Sequence, residues 1–297
     1  MTPSSSRTAR VDIPTPAAEV LVLRAGGARV SIAPAHGCVI QAIDLGEGNI
    51  LWTDGRRPRA LEQSDAVGEE SAREFDEEVL IGGWFPMFPS AGVPTATTQQ
   101  HGWAPRVAWA VVERSATRAV CTATGPFLDG GIAEVTRTVE LEPDALTVSS
   151  TVRNAGSGVR SFTWGEHPCF SRDLFAGGHA CFAGEQVAAV PAYANRAAGH
   201  DARSVAGAAA GVVGRSLTIA LSDEAGTLPH WLYWYNYAAA ELPRADTLAW
   251  EPSTAAGLSV GDAIAADAVE RLGAGQSFRA SLRCEWTLST IADSRVR

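Results

Sequence analysis

The residues this chain of 297 has few of narrow its function first. Its five cysteines (Cys38, Cys121, Cys169, Cys181, Cys284) are odd in number, scattered, and show no C-x-x-C spacing. That argues against a disulfide framework or a structural zinc site, and makes a reducing cytoplasm the expected location. Basic residues are outnumbered: 24 Lys and Arg against 33 Asp and Glu leave a net charge of −9. With no basic stripe, neither nucleic acid nor an anionic membrane is an expected partner. No apolar run reaches the ~20 residues of a helical membrane span. Met1 to Arg10 is polar and Ser-rich, without the apolar centre of a secretory signal. There is no G-x-G-x-x-G after a strand, no P-loop and no H-E-x-x-H, so the carriers of nucleotide and zincin chemistry are missing. Long helical periodicity is scarce too. Ser64 to Leu80 is the one stretch that reads as helix, its acidic residues forming a solvated face rather than a metal site.

What is present is β-structure. Leu146, Val148, Ser150 and Val152 alternate with Thr147, Ser149, Thr151 and Arg153, the period of a strand with one face buried. Ala133 to Leu141 and Ser277 to Trp286 alternate in the same way. Turn chemistry is dense, with 29 Gly and 16 Pro, and includes Leu-Asp-Gly-Gly at 128–131 and Glu-Pro-Asp at 142–144. These features predict an all-β protein built as a large antiparallel β-sandwich, a single domain over 16–297 behind a disordered tail at 1–15. The Ala/Gly-rich piece Arg196 to Gly214 reads as a surface loop.

Four segments hold residues that a plain sandwich does not require. One is Ser161 to Phe170, Ser-Phe-Thr-Trp-Gly-Glu-His-Pro-Cys-Phe, where Pro168 is expected to stop a strand and aim His167 into a cleft. Gly82 to Gly92 sets aromatics between Gly and Pro, giving a rigid irregular loop. Gln99 to Trp109 places His101 before a glycine that admits close backbone approach. Leu248 to Thr254 puts Glu251 after an apolar run and before Pro252, downstream of the aromatic stretch Pro229 to Tyr237. Taken alone, each histidine is more often a structural one whose hydrogen bonds are satisfied.

Together, and in this order, the segments resemble the aldose 1-epimerase (galactose mutarotase-like) family. The matching pieces are Ser31 to Gly37 with Asn49 to Trp52, then Gly-Gly-x-x-Pro-x-Phe-Pro-x-x-Gly, His-Gly-aromatic-Ala, and Gly165-x-His167-Pro168-x-Phe170. They run from about Val30 to the C-terminus. The resemblance implies a β-supersandwich whose concave face binds a pyranose, with no metal or organic cofactor. It also implies roles: Glu251 as the base at the C1 hydroxyl, His167 as the acid at the ring oxygen, and His101 hydrogen-bonding nearby. Anomer exchange needs such an acid and base on opposite sides of C1.

Trp84, Trp103 and Trp234 are either core or rings that stack on a sugar face, and Asn236 and Arg106 are further candidates to touch substrate. Glu166, a further candidate to touch substrate, is expected to be an orienting or exposed carboxylate rather than a catalyst. His36, His179, His200 and His230 read as structural or exposed. Cys169 is reactive only where a neighbour lowers its pKa. Relative to the His-Gly-Phe-Ala-Arg pattern common in the family, Pro105 intervenes and the arginine moves to Arg106, while Ile81 stands where an arginine often precedes the Gly-Gly. Both changes weaken the resemblance to hexose 6-phosphate mutarotases, because a phosphate dianion needs paired cations; Arg56, Arg57, Arg59 or Arg106 would have to compensate. A small neutral sugar is therefore the expected partner. Two other readings remain open: a non-catalytic carbohydrate-binding domain, and a glycoside hydrolase using Glu166 and Glu251 as its carboxylate pair. The sequence leaves the oligomeric state open.

Overall fold

The computed structural model describes residues 20–46, 48–56 and 64–288. The expected tail at 1–15 lies outside them, as do Arg57 and Arg59. Alternating apolar side chains draw most of the described chain into strands. The first are β1 (Leu21–Ala25), β2 (Ala28–Ala33), β3 (Val39–Asp44) and β4 (Trp84–Met87). A central run holds β5 (Ala110–Arg114), β6 (Arg118–Phe127), β7 (Gly130–Leu141), β8 (Ala145–Asn154), β9 (Arg160–Phe162) and β10 (Gly165–Ser171). Then come β11 (His179–Phe182), β12 (Glu185–Ala189), β13 (Ala198–Ser204), β14 (Ala209–Val213) and β15 (Leu217–Asp223). β16 (His230–Tyr237), β17 (Asp246–Ser253), β18 (Glu270–Leu272) and β19 (Ser277–Leu288) complete the order.

Eight strands pair in the order β1-β2-β3-β4-β10-β17-β16-β13 and nine in the order β12-β11-β14-β15-β19-β8-β7-β6-β5. The ladders are antiparallel, including the long β7–β8 and β8–β19 pairs. The protein is thus an all-β, large antiparallel sandwich, and the strands expected at 133–141, 146–152 and 277–286 are β7, β8 and β19.

Apolar residues pack on both sides of the eight-stranded sheet. Its inner face meets the nine-stranded sheet in the main core, where Trp84, Trp109, Trp164, Trp231 and Trp250 are fully buried. Burial of a large apolar side chain contributes about 1.5–3 kcal/mol. A second, smaller cluster includes Phe75, Val79, Phe85, Met87, Cys169 and Leu242. It exists because α1 (Gly68–Glu74) runs into a π-helical turn over Phe75–Val79, burying Ser71, Phe75 and Val79 at spacings of four. Helix therefore forms inside the expected stretch 64–80, but shorter, and it acts as a cover for the outer face of the sheet.

Three expectations are corrected, the first being Gly82 to Gly92, which is not an irregular loop throughout but contains β4, paired with β10. Arg196 to Gly214 is not a loop but contains β13 and β14; β13 is mostly exposed and lacks apolar alternation, and its seven backbone pairings with β16 hold it in place. Pro168 does not stop its strand, because β10 runs on to Ser171. The proline is tolerated where the β10–β17 ladder skips from Gly165↔Ser253 to Cys169↔Ala249, so no donor is needed at 168.

Candidate active site

Side-chain alternation along β10 and β17 sorts the candidate residues onto two faces. Pairing of Gly165 with Ser253 and of Cys169 with Ala249 puts His167 and Glu251 opposite one another, both on the outer face. On β16, Leu232 pairs with Glu251 and Trp234 with Ala249, so those side chains share that face. On β4, Phe85 pairs with His167. The result is the floor of a cleft of about 240 Å³, walled by Phe75, Asp76 and Leu80 from the π turn, and by Gln100 and His101 from a loop.

The floor is arranged around His167. Its Nε2 lies 3.2 Å from Glu251 Oε1, and its Nδ1 lies 3.3 Å from Cys169 Sγ. Phe85 stacks on the imidazole with centroids 4.6 Å apart and 21° between planes, while Trp234 meets it edge-on at 5.6 Å. His101 approaches from the other side, ring to ring at 5.4 Å, and itself packs on Phe75 at 4.8 Å. Each face and edge of the imidazole is thus occupied by a neighbour or turned to the cleft, which restricts its rotation.

His101 is held by unusual backbone. Its φ is 57°, in the left-handed region that few residues other than glycine adopt, and Gly102 follows at 70°. A Cβ on Gly102 would lie 2.1 Å from the Phe88 carbonyl oxygen, so only glycine fits. His101 carbonyl accepts from the Phe88 amide at 3.1 Å, and its own amide donates to the Gly92 carbonyl at 3.2 Å. The ring Nδ1 is buried and has no partner among the described residues.

Burial controls the charges. It drives the Glu251 carboxyl up to about 8 and the His167 imidazole down to about 3. It also holds His101 well below the ordinary histidine range, with His167 and Arg106 pushing the same way. At neutral pH the Glu251–His167 pair therefore carries one proton and no net charge, with the proton on the carboxyl side. Burial raises the Cys169 thiol, with the Glu251 charge adding to it, so Cys169 is a neutral hydrogen-bonding neighbour rather than a nucleophile.

Of the residues expected to touch substrate, Trp234 and Asn236 line the cleft with His101, His167 and Glu251. Asn236 also accepts the Ala239 amide through Oδ1 at 3.0 Å, fixing the turn that carries Glu241 and Leu242. The other four lie elsewhere. Trp84 is fully buried in the main core, where its Nε1 donates to Glu166 Oε2 at 2.8 Å. Trp103 also packs into that core and donates to the Pro126 carbonyl at 2.8 Å. Arg106 is buried behind the cleft wall, bonding Ser71 and sitting 5.4 Å over the Phe75 ring.

Glu166 is neither exposed nor in the cleft: it projects from the inner face of β10 and pairs with Arg137 at 2.7 Å. Glu166 and Glu251 thus point to opposite faces of one sheet, which removes the glycoside hydrolase reading, since that chemistry needs both carboxyls in one cleft.

Sequence reasoning missed further residues that line the cleft. Asp76 and Glu241 both line it, as does exposed His200. Asp76 sits in the stretch expected to be a solvated acidic face, but burial raises it to about 6, against the lowering effect of Arg244. Among the described residues no Arg or Lys lines the cleft. Arg56 is occupied with Asp54 and the carbonyls of Glu77 and Leu80, bracing the π turn from outside. No three His, Cys, Asp or Glu side chains among the described residues converge as a metal site would need.

The sequence matches no family profile and no curated protein. Its structure, however, is similar to solved ones. A candidate aldose 1-epimerase from Klebsiella pneumoniae aligns with a TM-score of 0.71 at 14% identity, over 88% of this chain and 77% of that one. A candidate aldose 1-epimerase from Escherichia coli K12 aligns at 0.66 and 16%, over 91% and 99%. A galactose mutarotase-like protein from Lactobacillus casei aligns at 0.61 and 16%, over 91% and 100%. The sandwich described above has the galactose mutarotase-like fold.

Proposed function

We propose that the cleft interconverts the anomers of a free, uncharged aldose by general acid–base ring opening. The observation that carries this reading is the His167–Glu251 pair, 3.2 Å apart on the cleft floor and holding a single proton. Its location on a galactose mutarotase-like fold supports the assignment of substrate class.

In the resting pair the proton is on Glu251. Its transfer across the short contact leaves a carboxylate beside an imidazolium, an arrangement that sugar hydroxyls stabilise by hydrogen-bonding the charged forms. Glu251 then takes the proton of the C1 hydroxyl. As the C1 carbonyl forms, the bond from C1 to the ring oxygen breaks, and its electron pair receives the proton from His167. Rotation about C1–C2 and reversal of both transfers give the other anomer, and the pair ends with the proton it began with. His101, with a free ring nitrogen, donates to or accepts from the oxygen on which charge develops. Trp234 offers an apolar ring to the C–H face of the pyranose.

The acidic lining of the cleft favours a neutral sugar over a phosphorylated one. Asp76 and Glu241 accept hydrogen bonds from hydroxyls but repel a phosphate dianion. The test is anomer exchange followed by NMR across a panel of free hexoses and pentoses, with Glu251→Gln as the control. Enzyme-dependent exchange that disappears in the variant supports the proposal. Saturable binding with no exchange of any sugar identifies a carbohydrate-binding protein instead.

A further inference from the structure

The core side of β10 contains an ion pair that the proposed chemistry does not use. Arg137 is fully buried on the inner face of β7, and its Nη1 donates to Glu166 Oε1 at 2.7 Å. The second oxygen of Glu166 accepts from Trp84 Nε1 at 2.8 Å. Glu166 immediately precedes His167, and Trp84 immediately precedes Phe85, the ring stacked on the His167 imidazole. One carboxylate therefore ties the strand of His167, the strand of its stacking partner and the opposite sheet to a single point.

That tie falls where β10 is laddered on one side only, Glu166, His167 and Pro168 pairing with Pro86, Phe85 and Trp84 of β4. The ladder to β17 has no pairings between Gly165↔Ser253 and Cys169↔Ala249, and Pro168 has no amide proton to offer. The side-chain bonds of Glu166 add an anchor to the β4 ladder over the three residues centred on His167, where the β17 ladder supplies none. Stability does not account for the pair. Arg137 Nε and Nη2 are buried without a partner among the described residues, and replacing a buried ion pair by apolar residues of similar volume is commonly neutral or stabilising.

We propose that Arg137, Glu166 and Trp84 form a positioning device that holds His167 at its working distance from Glu251 from behind the sheet. The inference rests on the anomer-exchange reading for its kinetic consequence, though its structural consequence does not. In Arg137→Met/Glu166→Met, both charges are removed together and side-chain length is kept. The protein is expected to fold with an unchanged or higher melting temperature. Its kcat should fall about ten- to a hundredfold with KM within about threefold, because misplacement of about 1 Å costs up to about 10² in rate. The ¹⁵N resonances of His167 should move toward tautomer-averaged values.

Trp84→Phe removes only the indole donor and should shift the same resonances in the same direction by a smaller amount. Wild-type kcat and wild-type His167 resonances in the folded double variant overturn the proposal. If the double variant does not fold, Trp84→Phe decides, and unperturbed His167 resonances there overturn it equally. Should the wild-type protein exchange no sugar, the functional reading fails, and the resonances alone decide the positioning role.

Discussion

His167 and Glu251 face one another across the β10–β17 pair, Nε2 to Oε1 at 3.2 Å, within a stretch where the two backbones exchange no ladder pairings. Burial penalises both charged forms, so the pair stores one proton with no net charge. Either group donates only as the other accepts, which is what ring opening requires of a site that must work in both directions.

Removing the carboxyl while keeping its shape should therefore abolish most of the rate. Glu251→Gln is expected to lower the exchange rate by about 10²–10⁴-fold, the usual worth of a positioned acid–base group. Saturation-transfer NMR at several sugar concentrations checks this, with KM expected to change much less than kcat.

The same substitution should stabilise the protein in mild base. The folded-state pKa of Glu251, about 8, lies above the ordinary 4.5, so the folded state binds more protons in that window and stability falls as pH rises through it. His167, depressed from 6.5 to about 3, contributes the opposite slope below pH 6.5, and depressed His101 adds to it there. Asp76 titrates below the same limit, at about 6. Between pH 6.5 and 8 the Glu251 contribution stands apart from those of its cleft neighbours, and amounts to at most about 2 kcal/mol at 1.36 kcal/mol per unit. Chemical denaturation of wild type at pH 6.5 and 8 should show this loss, and Glu251→Gln should not. For catalysis, kcat/KM is expected to decline as pH rises past about 8, when the pair gives up its single proton.

His101 permits a separation of chemistry from backbone. Asparagine tolerates the left-handed conformation that His101 adopts at φ 57°. His101→Asn should therefore keep the melting temperature within a few degrees while lowering kcat by about 10²–10³-fold, the cost of losing one donor to a developing charge. His101→Val, β-branched and strained at that φ, should lose stability as well. Equal activity of wild type and His101→Asn would assign His101 to the wall alone.

Asp76 tests the charge preference of the cleft. Asp76→Asn removes a carboxylate from the lining of the cleft. It should raise kcat/KM for hexose 6-phosphates relative to free hexoses by about tenfold or more, at low ionic strength where repulsion is least screened. A ratio that does not move places the selectivity elsewhere in the cleft.

The strands were the most legible part of the chain, because alternation at Leu146 to Val152 or at Ser277 to Trp286 directly encodes a face. β13 was illegible for the converse reason: an edge strand exposed along most of its length has no core to write into its sequence. His101, His167 and Glu251 were singled out by the Gly and Pro around them and by the family resemblance, and the fold brings all three to one cleft. Trp84, Trp103, Arg106 and Glu166 lie off the cleft, and the sequence could not decide this because motif adjacency does not fix the face: His167 and Glu166 are neighbours in sequence and point opposite ways. Asp76 and Glu241 carry no local signal at all, since their role arises from where a π turn and a β16–β17 connection come to rest.

The two-sided packing of the eight-stranded sheet divides the labour of inheritance. His167 and Glu251 stand on strands whose reverse sides belong to the main core, whereas Asp76 and Glu241 are supplied by pieces that rest on the smaller outer cluster. Changes in the segment around Asp76 or the turn around Glu241 leave the inter-sheet packing untouched. Under the anomer-exchange proposal, new specificities can accordingly be written into these covering segments one residue at a time, while the His167–Glu251 pair and the sandwich beneath it stay as they are.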